Sequence, residues 1–230
     1  GIKVIPTGVD HGTVTAVGDG KNYEITTLRR DVATDGRRAT VAFVDNWRED
    51  AARRDFTINA LYAHIESGEI RDYFEGLDDL SSRTVRFIGD AATRIAEDYL
   101  RIMRYFRFFA RFGRGIPDPQ ALEACSAAAH SLTALSRERI AQELLKIVAL
   151  PDPSATVALM QTHGIFAQFM PEIVPDAAEQ MAQLVIREKA KRLSPSLPAR
   201  FLSLLPRDAI VVDKVAARLK LSNKFRENLT

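Results

Sequence analysis

The pattern of hydrophobic and polar positions begins with β-strands. Residues 13–28 hold two runs rich in Val, Thr, Tyr and Ile around the turn residues Gly-Asp-Gly-Lys at 18–21, which predicts a β-hairpin. The residues before this hairpin are also strand-like, and residues 39–44 predict a third strand. The first fifth of the chain is therefore predicted to be β-structure.

After residue 44 the apolar positions change to a helical spacing. Positions such as Ala52, Phe56 and Ala60 predict a helix from about residue 50 to 65. The turn-rich segment that follows predicts a short strand pair around Ile70 and residues 85–88. From residue 90 onward every segment is predicted to be helical. The helices are expected at residues 90–112, 118–130 with Pro119 in the first turn, 136–150 with Ser136 as N-cap, 154–163 with Gly164 as C-cap, 173–192, 198–205 and 208–220.

This order of elements predicts an α+β fold, in which a part containing β-strands is followed by an all-α part. We expect boundaries that give residues 1–89, 90–150 and 151–230. No long flexible linker separates the first two parts, so we expect them to share packing.

Composition excludes several classes of protein. The 230 residues are 27% charged and 46% hydrophobic, which rules out a disordered chain and a collagen-like repeat. Cys125 is the single cysteine and is expected in the core, so an intrachain disulfide and a cysteine-based zinc site are excluded. Without a long apolar run or a signal peptide, we expect no membrane partner and a cytoplasmic location. The chain begins with Gly1 instead of Met, and we expect it to be a fragment.

The charged residues are unevenly distributed although the net charge is only +2. Arginine outnumbers lysine 24 to 8, and 16 of the arginines lie in residues 1–114. Arginine suits bidentate contact with phosphate and with base edges. This indicates a local anion-binding site, and the alternative is a solvated helix face.

The first motif whose side chains could bind a ligand is RRDFTINA at residues 53–60. On a helix, Asp55 and Asn59 would share one face, with Arg53 and Arg54 close behind them. A carboxylate can accept from a ribose hydroxyl while Arg and Asn donate to phosphate oxygens. The alternative is an ordinary exposed Arg–Asp pair.

The second motif is EDYLR, residues 97–101, which starts a row of arginines. On one helix Asp98, Arg101 and Arg104 would be three apart, with few acidic partners for the arginines that follow. Such a row favours a bound anion, and an Asp–Arg pair can present an acceptor and donors to a base edge. The row is extended by Arg107, Arg111 and Arg114, and an apolar stripe expected in the core comprises Ile102, Tyr105, Phe109 and Phe112.

Weaker candidates lie in the strand region. Asp10, His11 and Gly12 form a turn-like segment whose Asp–His pair could hold a metal, although a turn role is favoured. Glu24 is a lone carboxylate on a predicted strand. No histidine stands in a metal-ligand spacing such as HExxH.

Taken together, these motifs are similar to those of a known family. The sequence resembles bacterial CCA-adding tRNA nucleotidyltransferases and poly(A) polymerases, the class II branch of the polymerase-β-like nucleotidyltransferases. The matching segments are HGTVTAV, YEITTLR, RRDFTINAL, DYFEGLDDL, RFIGDAATRIAEDYLRIMRYFRF and LSRERIAQELLK. The resemblance implies that the 3′-hydroxyl of an RNA attacks the α-phosphate of ATP or CTP, without a nucleic-acid template.

The resemblance also implies roles for individual residues. Asp98 and Arg101 would contact the base edge and Glu97 would hold Arg101. Asp55 with Arg54 would contact the ribose. The remaining implied roles are triphosphate contact by Asn59 and Arg104, a hinge at residues 72–80, and support of the nucleotide pocket by residues 136–146. The three parts would be an incomplete palm or head, nucleotide-selecting neck helices, and an incomplete helical body on the RNA-binding side.

The sequence departs from the family at one point. The family holds Mg²⁺ with an Asp-x-Asp pair upstream of HGTVTAV, and these 230 residues contain no such element. Glu24 is a candidate only for an auxiliary carboxylate, so the catalytic carboxylates stay unassigned. We therefore expect a chain truncated at both ends that binds ATP and CTP but adds no nucleotides by itself. Polyadenylation and a non-catalytic module that binds nucleotide or tRNA remain the alternatives to CCA addition.

Overall fold

The structure is a computed structural model that describes residues 2–9, 12–34 and 39–229. Its β-strands all lie in the first third of the chain and pair antiparallel. The strands are β1 (Lys3–Gly8), β2 (Thr13–Gly18), β3 (Lys21–Thr26), β4 (Arg29–Thr34), β5 (Ala39–Phe43), β6 (Tyr62–Ala63) and β7 (Ile70–Arg71).

The predicted hairpin is confirmed as β2 and β3. Gly18 pairs with Lys21, and Asp19 and Gly20 between them have φ values of 50° and 72°. Both values lie in the left-handed region, as a two-residue hairpin turn of type I′ requires at its two central residues. The third predicted strand is confirmed as β5, and its partner β4 was not predicted.

Helices and short 3₁₀ turns make up the remainder of the described chain. The α-helices are α1 (Trp47–Ala52), α2 (Gly76–Ser82), α3 (Ala91–Glu97), α4 (Leu100–Phe112), α5 (Pro119–Ala127), α6 (Arg137–Val148), α7 (Ser154–Thr162), α8 (Ala177–Ala190), α9 (Leu197–Leu202), α10 (Ala209–Arg218) and α11 (Asn223–Glu227). The 3₁₀ turns are Thr57–Asn59, Ala129–Ala134 and Phe166–Gln168.

The helix predicted from residue 50 to 65 is wrong after Ala52. Phe56 has extended backbone angles (φ −122°, ψ 149°) and bridges to Phe87, and its buried ring packs on Phe87 and Phe108. Pairing with this later segment replaces the helical hydrogen bonds and turns the chain into the core. As a consequence, Ile70 pairs with β6 and not with residues 85–88.

The single helix predicted for residues 90–112 is also wrong, because the chain breaks at Asp98. This residue has φ −154° and ψ 107°, and its Oδ1 accepts from the Leu100 amide at 3.0 Å. Aspartate competes with the helix by such local bonds. The break separates α3 from α4 and takes Asp98 off the face of α4.

The later helices follow the predictions more closely. Asp118 caps α5 with Pro119 in its first turn, and Ser136 caps α6 as predicted. Gly164 follows α7 with φ +67°, as a C-terminal glycine should. The second predicted helix ends at Ala127 in a 3₁₀ turn, α8 begins four residues later than predicted, and α11 was not predicted.

One hydrophobic core extends from Phe56 to Leu221. The predicted stripe on α4 belongs to it: Ile102 and Tyr105 are fully buried, and Phe109 and Phe112 are partly buried against it. Because this core includes residues on both sides of position 90, the predicted sharing of packing is confirmed, as is the α+β class. The exact boundaries at residues 89 and 150 stay predictions.

Cys125 lies fully buried in this core, as predicted. Burial raises the pKa of its thiol, which keeps it protonated. In the described part of the chain, no helix is both long enough and apolar enough to cross a membrane.

Candidate nucleotide site

The two sequence motifs, 45 or so residues apart, meet where α4 passes the end of α1. Nη1 of Arg94 donates to the Ala52 carbonyl at 3.1 Å, and Nη2 of Arg101 donates to the Arg53 carbonyl at 3.2 Å. The last carbonyls of a helix lack partners within it and accept readily. Arg94 of α3 and Arg101 of α4 therefore satisfy the end of α1, directly before the first motif.

Asp55 forms the centre of this junction and is only 4% exposed. Its Oδ1 accepts from the Phe56 amide at 3.0 Å and from Asn59 Nδ2 at 2.8 Å, and its Oδ2 accepts from Arg104 Nε at 2.5 Å. The expected meeting of Asp55 and Asn59 thus occurs, although a 3₁₀ turn produces it and not an α-helix. Burial acts to lower the pKa of Arg104, but the Asp55 carboxylate outweighs it and holds that pKa above its usual value.

Arg53 and Arg54 are held by Asp50, a buried carboxylate on α1. Asp50 Oδ1 accepts from Arg53 Nε at 3.0 Å, and its Oδ2 accepts from Arg54 Nη2 at 3.1 Å. The expectation of an ordinary exposed pair does not describe this contact, because the Asp50 side chain is 3% exposed while Arg54 retains 35%. We call Asp50, Arg53, Arg54, Asp55, Asn59 and Tyr62 the α1 cluster.

Tyr62 completes the surroundings of Arg54. Its hydroxyl donates to Asp50 Oδ2 at 2.7 Å and accepts from Arg54 Nε at 3.3 Å. Burial raises the pKa of Tyr62 to about 12, and the bond to Asp50 adds to the rise. Burial also acts to raise the pKa of Asp50, but the bonds from Tyr62, the Arg29 amide and Arg53 hold that pKa below its usual value.

Glu97 and Asp98 stand at the junction of α3 and α4. Glu97 Oε2 accepts from Arg101 Nη1 at 2.5 Å, and its Oε1 accepts from Arg94 Nη2 at 2.8 Å. Asp98 Oδ2 accepts from Arg139 Nη2 at 2.8 Å, a contact that reaches across from α6. We call Arg94, Glu97, Asp98, Arg101 and Arg139 the α4 cluster, and Arg104 joins it to the α1 cluster.

The expectation that the arginine row has few acidic partners is wrong. Besides the contacts of Arg101 and Arg104, Arg107 Nε lies 2.5 Å from Glu143 on α6. The partners of Arg104 and Arg107 come from distant parts of the chain, so the sequence spacing along α4 does not show them. Arg101, Arg104 and Arg107 thus each have a carboxylate partner, and the argument for a bound anion has to rest on the geometry of the two clusters.

The helix predicted to support the pocket, α6, contacts α4 and the Asp98 side chain that precedes it. Arg139 reaches Asp98, and the buried Glu143 reaches Arg107 and Lys146. Burial acts to raise the pKa of Glu143, but Lys146 and Arg107 outweigh it and hold that pKa below its usual value. Nη1 of Arg139 is buried without a hydrogen-bond partner among the described residues.

Residues 72–80, which were predicted to form a hinge, fold as a turn closed by the Asp72 side chain and lead into α2. Asp72 accepts from the amides of Phe74, Gly76 and Leu77 at 2.8 to 3.1 Å. A side chain at Gly76 would approach the Thr57 carbonyl to 2.4 Å, so only glycine allows α2 to pack this closely on the 3₁₀ turn of the α1 cluster. Movement at this segment stays a prediction.

Sequence reasoning missed Asp50, Tyr62, Arg94 and Arg139 as members of these clusters. A signal for Asp50 was available, because it stands three and four residues before Arg53 and Arg54 on one helix. No local signal marks Arg139, whose partner is 41 residues away. Glu143 likewise pairs with an arginine 36 residues away.

The described residues do not fit a magnesium site. In residues 2–9, 12–34 and 39–229 no group of three or more His, Cys, Asp or Glu side chains could hold a metal ion. Glu24 lies on the exposed strand β3, opposite Thr15. Asp10 and His11 lie outside the described residues, and Gly12 follows them with φ +67° in a turn. We therefore assign no step to a metal held by these residues.

The chemistry open to the two clusters is recognition by hydrogen bonding. Asp55 uses three of the roughly four acceptor positions of a carboxylate, and Arg54 keeps exposed donors beside it. Asp98, at the break between α3 and α4, and Arg101, in the first turn of α4, offer an acceptor and donors. The junction can therefore present acceptors and cationic donors side by side to a polar anionic ligand.

Comparison with known proteins supports this interpretation. Residues 2–86 match the family model of the poly(A) polymerase head domain, and residues 117–176 match the model described as a probable RNA and SrmB-binding site of polymerase A. The chain is 40% identical over 227 residues to CCA tRNA nucleotidyltransferase 1, mitochondrial, of Danio rerio, covering 97% of this chain and 52% of that protein. It is 50% identical over 151 residues to the Homo sapiens protein of the same name, covering 64% of this chain and 35% of that one.

A solved structure shares the fold over nearly the whole chain. The Bacillus stearothermophilus CCA-adding enzyme in complex with CTP superimposes with a TM-score of 0.81 at 30% identity, covering 99% of this chain and 54% of that one. The chain thus spans about half the length of the relatives it matches. The head-domain and RNA-binding models match in the expected order, and both the animal and the bacterial relatives have names that refer to CCA, in agreement with the motifs at the α1–α4 junction. The chain belongs to the family of CCA-adding tRNA nucleotidyltransferases and bacterial poly(A) polymerases.

Proposed function

We propose that the chain forms the nucleotide-selecting part of an enzyme that adds C and A from CTP and ATP to tRNA 3′ ends. The observation that supports this most is that Arg94, Arg101 and Arg104 all contact the segment from residue 52 to residue 55, so that the two clusters lie side by side. Relatives that are 40% and 50% identical to this chain are named as CCA tRNA nucleotidyltransferases, and this favours CCA addition over polyadenylation.

In this proposal the α1 cluster binds the sugar and phosphates, which CTP and ATP share. Asp55 accepts from a ribose hydroxyl through its remaining acceptor position, and Arg54 donates beside it. Asn59 and Arg104 contact the triphosphate. Because Asp55 is buried and bonded to Phe56, Asn59 and Arg104, its orientation is fixed before the nucleotide arrives.

The α4 cluster reads the base. Asp98 accepts from the exocyclic amino group that both cytosine and adenine carry, and Arg101 donates to the ring acceptors. Glu97 bonds Arg101, and this supports a role in holding that guanidinium. The magnesium that the family uses, with its Asp-x-Asp ligands, remains part of the proposal, as does a cytoplasmic location.

Sequencing of reaction products tests the proposal. The full-length product of the gene is incubated with a tRNA that lacks its CCA end, together with CTP and ATP. We expect CCA ends and no further extension. Long A tails would establish polyadenylation instead, and an unextended tRNA would favour a non-catalytic binding module. The 230-residue chain alone is expected to incorporate no labelled ATP.

A further inference from the structure

Asp50 has no part in the proposed recognition of nucleotide, yet it contacts more donors than any other residue of the α1 cluster. Its carboxylate accepts from the side chains of Arg53, Arg54 and Tyr62 and from the backbone amide of Arg29 at 3.1 Å. These donors come from the two residues that follow α1, from β6 and from the start of β4. A buried carboxylate with four donors is a fixed point in the fold.

We propose that Asp50 is a positioning residue for ribose selection, which holds the Arg54 guanidinium in the orientation that contacts the sugar. This inference rests on the proposed function, because that proposal assigns Arg54 to the ribose. Asp50 itself is 2% exposed, so its carboxylate is not accessible to a nucleotide and acts through Arg54.

The geometry around Arg54 carries the inference. Its Nη2 is held by Asp50, its Nε is held by the Tyr62 hydroxyl, and its guanidinium carbon lies 5.3 Å from the centre of the Tyr62 ring. The guanidinium is thus fixed along one edge and over one face, while a third of the side chain remains exposed. An exposed arginine without such partners samples many rotamers.

Loss of the contact between Asp50 and Arg54 should change the preference for ribose over deoxyribose more than it changes the affinity for the triphosphate. A mobile Arg54 keeps its positive charge and still attracts a triphosphate, but it no longer presents its donors at one place beside Asp55. Discrimination between ribose and deoxyribose depends on that placement. Discrimination between bases depends on the α4 cluster, which Asp50 does not contact.

The test compares binding of ATP, dATP and CTP to the 230-residue chain by calorimetry, with wild type, Asp50→Asn, Tyr62→Phe and Arg54→Ala. Asparagine keeps the shape of Asp50 but turns amide hydrogens toward its donors. We expect Asp50→Asn to reduce the preference for ATP over dATP by about tenfold, which corresponds to about 1.4 kcal/mol. The preference between ATP and CTP should not change. Tyr62→Phe keeps the ring and should act in the same direction with a smaller effect.

A double variant separates positioning from a general structural role. If Asp50 acts through Arg54, then Asp50→Asn should have little further effect on sugar preference once Arg54→Ala is present. Glu188→Gln is the matched control, because Glu188 is a buried carboxylate paired with Arg200 at 2.7 Å far from the two clusters. It should lower the thermal unfolding midpoint and leave the sugar preference unchanged.

The outcomes distinguish this inference from the proposal on which it rests. If Arg54→Ala does not alter the sugar preference, the ribose assignment of the proposed function is wrong and the inference falls with it. If Arg54→Ala removes the preference while Asp50→Asn and Tyr62→Phe keep it, only the inference is overturned. If Asp50→Asn does not fold, Tyr62→Phe decides between the same two results.

Discussion

The two clusters at the α1–α4 junction differ in how tightly their carboxylates are held. Asp50 and Asp55 are buried and accept four and three hydrogen bonds, whereas Asp98 keeps 27% of its side chain exposed and accepts two. In the α1 cluster a carboxylate cannot turn without breaking several bonds. In the α4 cluster, Asp98 can change its orientation by releasing only two bonds, those from Arg139 and from the Leu100 amide.

This difference agrees with the proposed roles of the clusters, in which the α1 cluster binds sugar and triphosphate and the α4 cluster contacts the base. Sugar and triphosphate are the same in CTP and ATP, so the residues that bind them can be rigid. The bases differ in size and in the position of their acceptors, so the residue that contacts them benefits from freedom to adjust. Four substitutions or titrations test this comparison.

The largest effect is expected for Asp55→Ala. It leaves the Arg104 guanidinium and the Asn59 amide without their buried acceptor, so we expect the free energy of unfolding to fall by about 3 kcal/mol. Denaturant unfolding measures this. The matched control is Glu123→Ala on the exposed face of α5, which should change the same quantity by less than about 0.5 kcal/mol. Equal small effects of both variants would show that Asp55 is not the rigid centre described above.

Asp98→Ala should affect selectivity and not folding. Because Asp98 is partly exposed, we expect little loss of stability, but a change of about tenfold or more in the ratio of ATP to CTP use by the full-length protein. Arg101→Ala should act in the same way. Steady-state kinetics with each nucleotide measures the ratio, and unchanged selectivity in both variants would overturn the base-reading assignment.

Arg139→Ala should have a smaller effect of the same kind. It removes the bond that holds Asp98 Oδ2 but leaves the Leu100 amide on Oδ1. We expect a change of about threefold to tenfold in the ATP-to-CTP ratio, within the range of a single charged hydrogen bond. The ATP-to-dATP ratio should stay constant. A change in the sugar ratio instead would show that the two clusters are not independent.

The smallest effect concerns the protonation of Tyr62. Its pKa in the folded protein is about 12 against a usual value of 10, so the folded state holds this proton more tightly than the unfolded state. The resulting stabilisation is fully present below pH 10 and is lost as the pH rises through 12. A titration of tyrosine absorbance should show that Tyr62→Phe removes a step near pH 12. Removal of a step near pH 10 would contradict the buried contact with Asp50.

The sequence predicts the α1 cluster better than the α4 cluster for a physical reason. Arg53, Arg54, Asp55 and Asn59 lie within seven residues of one another, so local spacing brings them together although the predicted helix was wrong. Arg104 pairs with Asp55, which is 49 residues away, and Arg139 pairs with Asp98, which is 41 residues away. These pairs depend on how α4 and α6 pack in the fold.

The break at Asp98 could not be predicted from periodicity, because the apolar positions of α3 and α4 continue one pattern across it. The side chain of Asp98 bonds the Leu100 amide, and this local competition outweighs helix continuation. The same break places Asp98 within reach of Arg139. The residue whose helical conformation was wrongly predicted is therefore also the residue proposed to contact the base. Local rules fail at functional sites for this reason more often than elsewhere.

The central claim is that the α1 and α4 clusters form one nucleotide site with separate halves for sugar and base. A crystal structure of the chain with CTP tests it most directly. We predict a ribose hydroxyl within hydrogen-bond distance of Asp55 or Arg54, and the cytosine edge against Asp98 and Arg101. A cytosine bound away from Asp98 and Arg101 would contradict the claim.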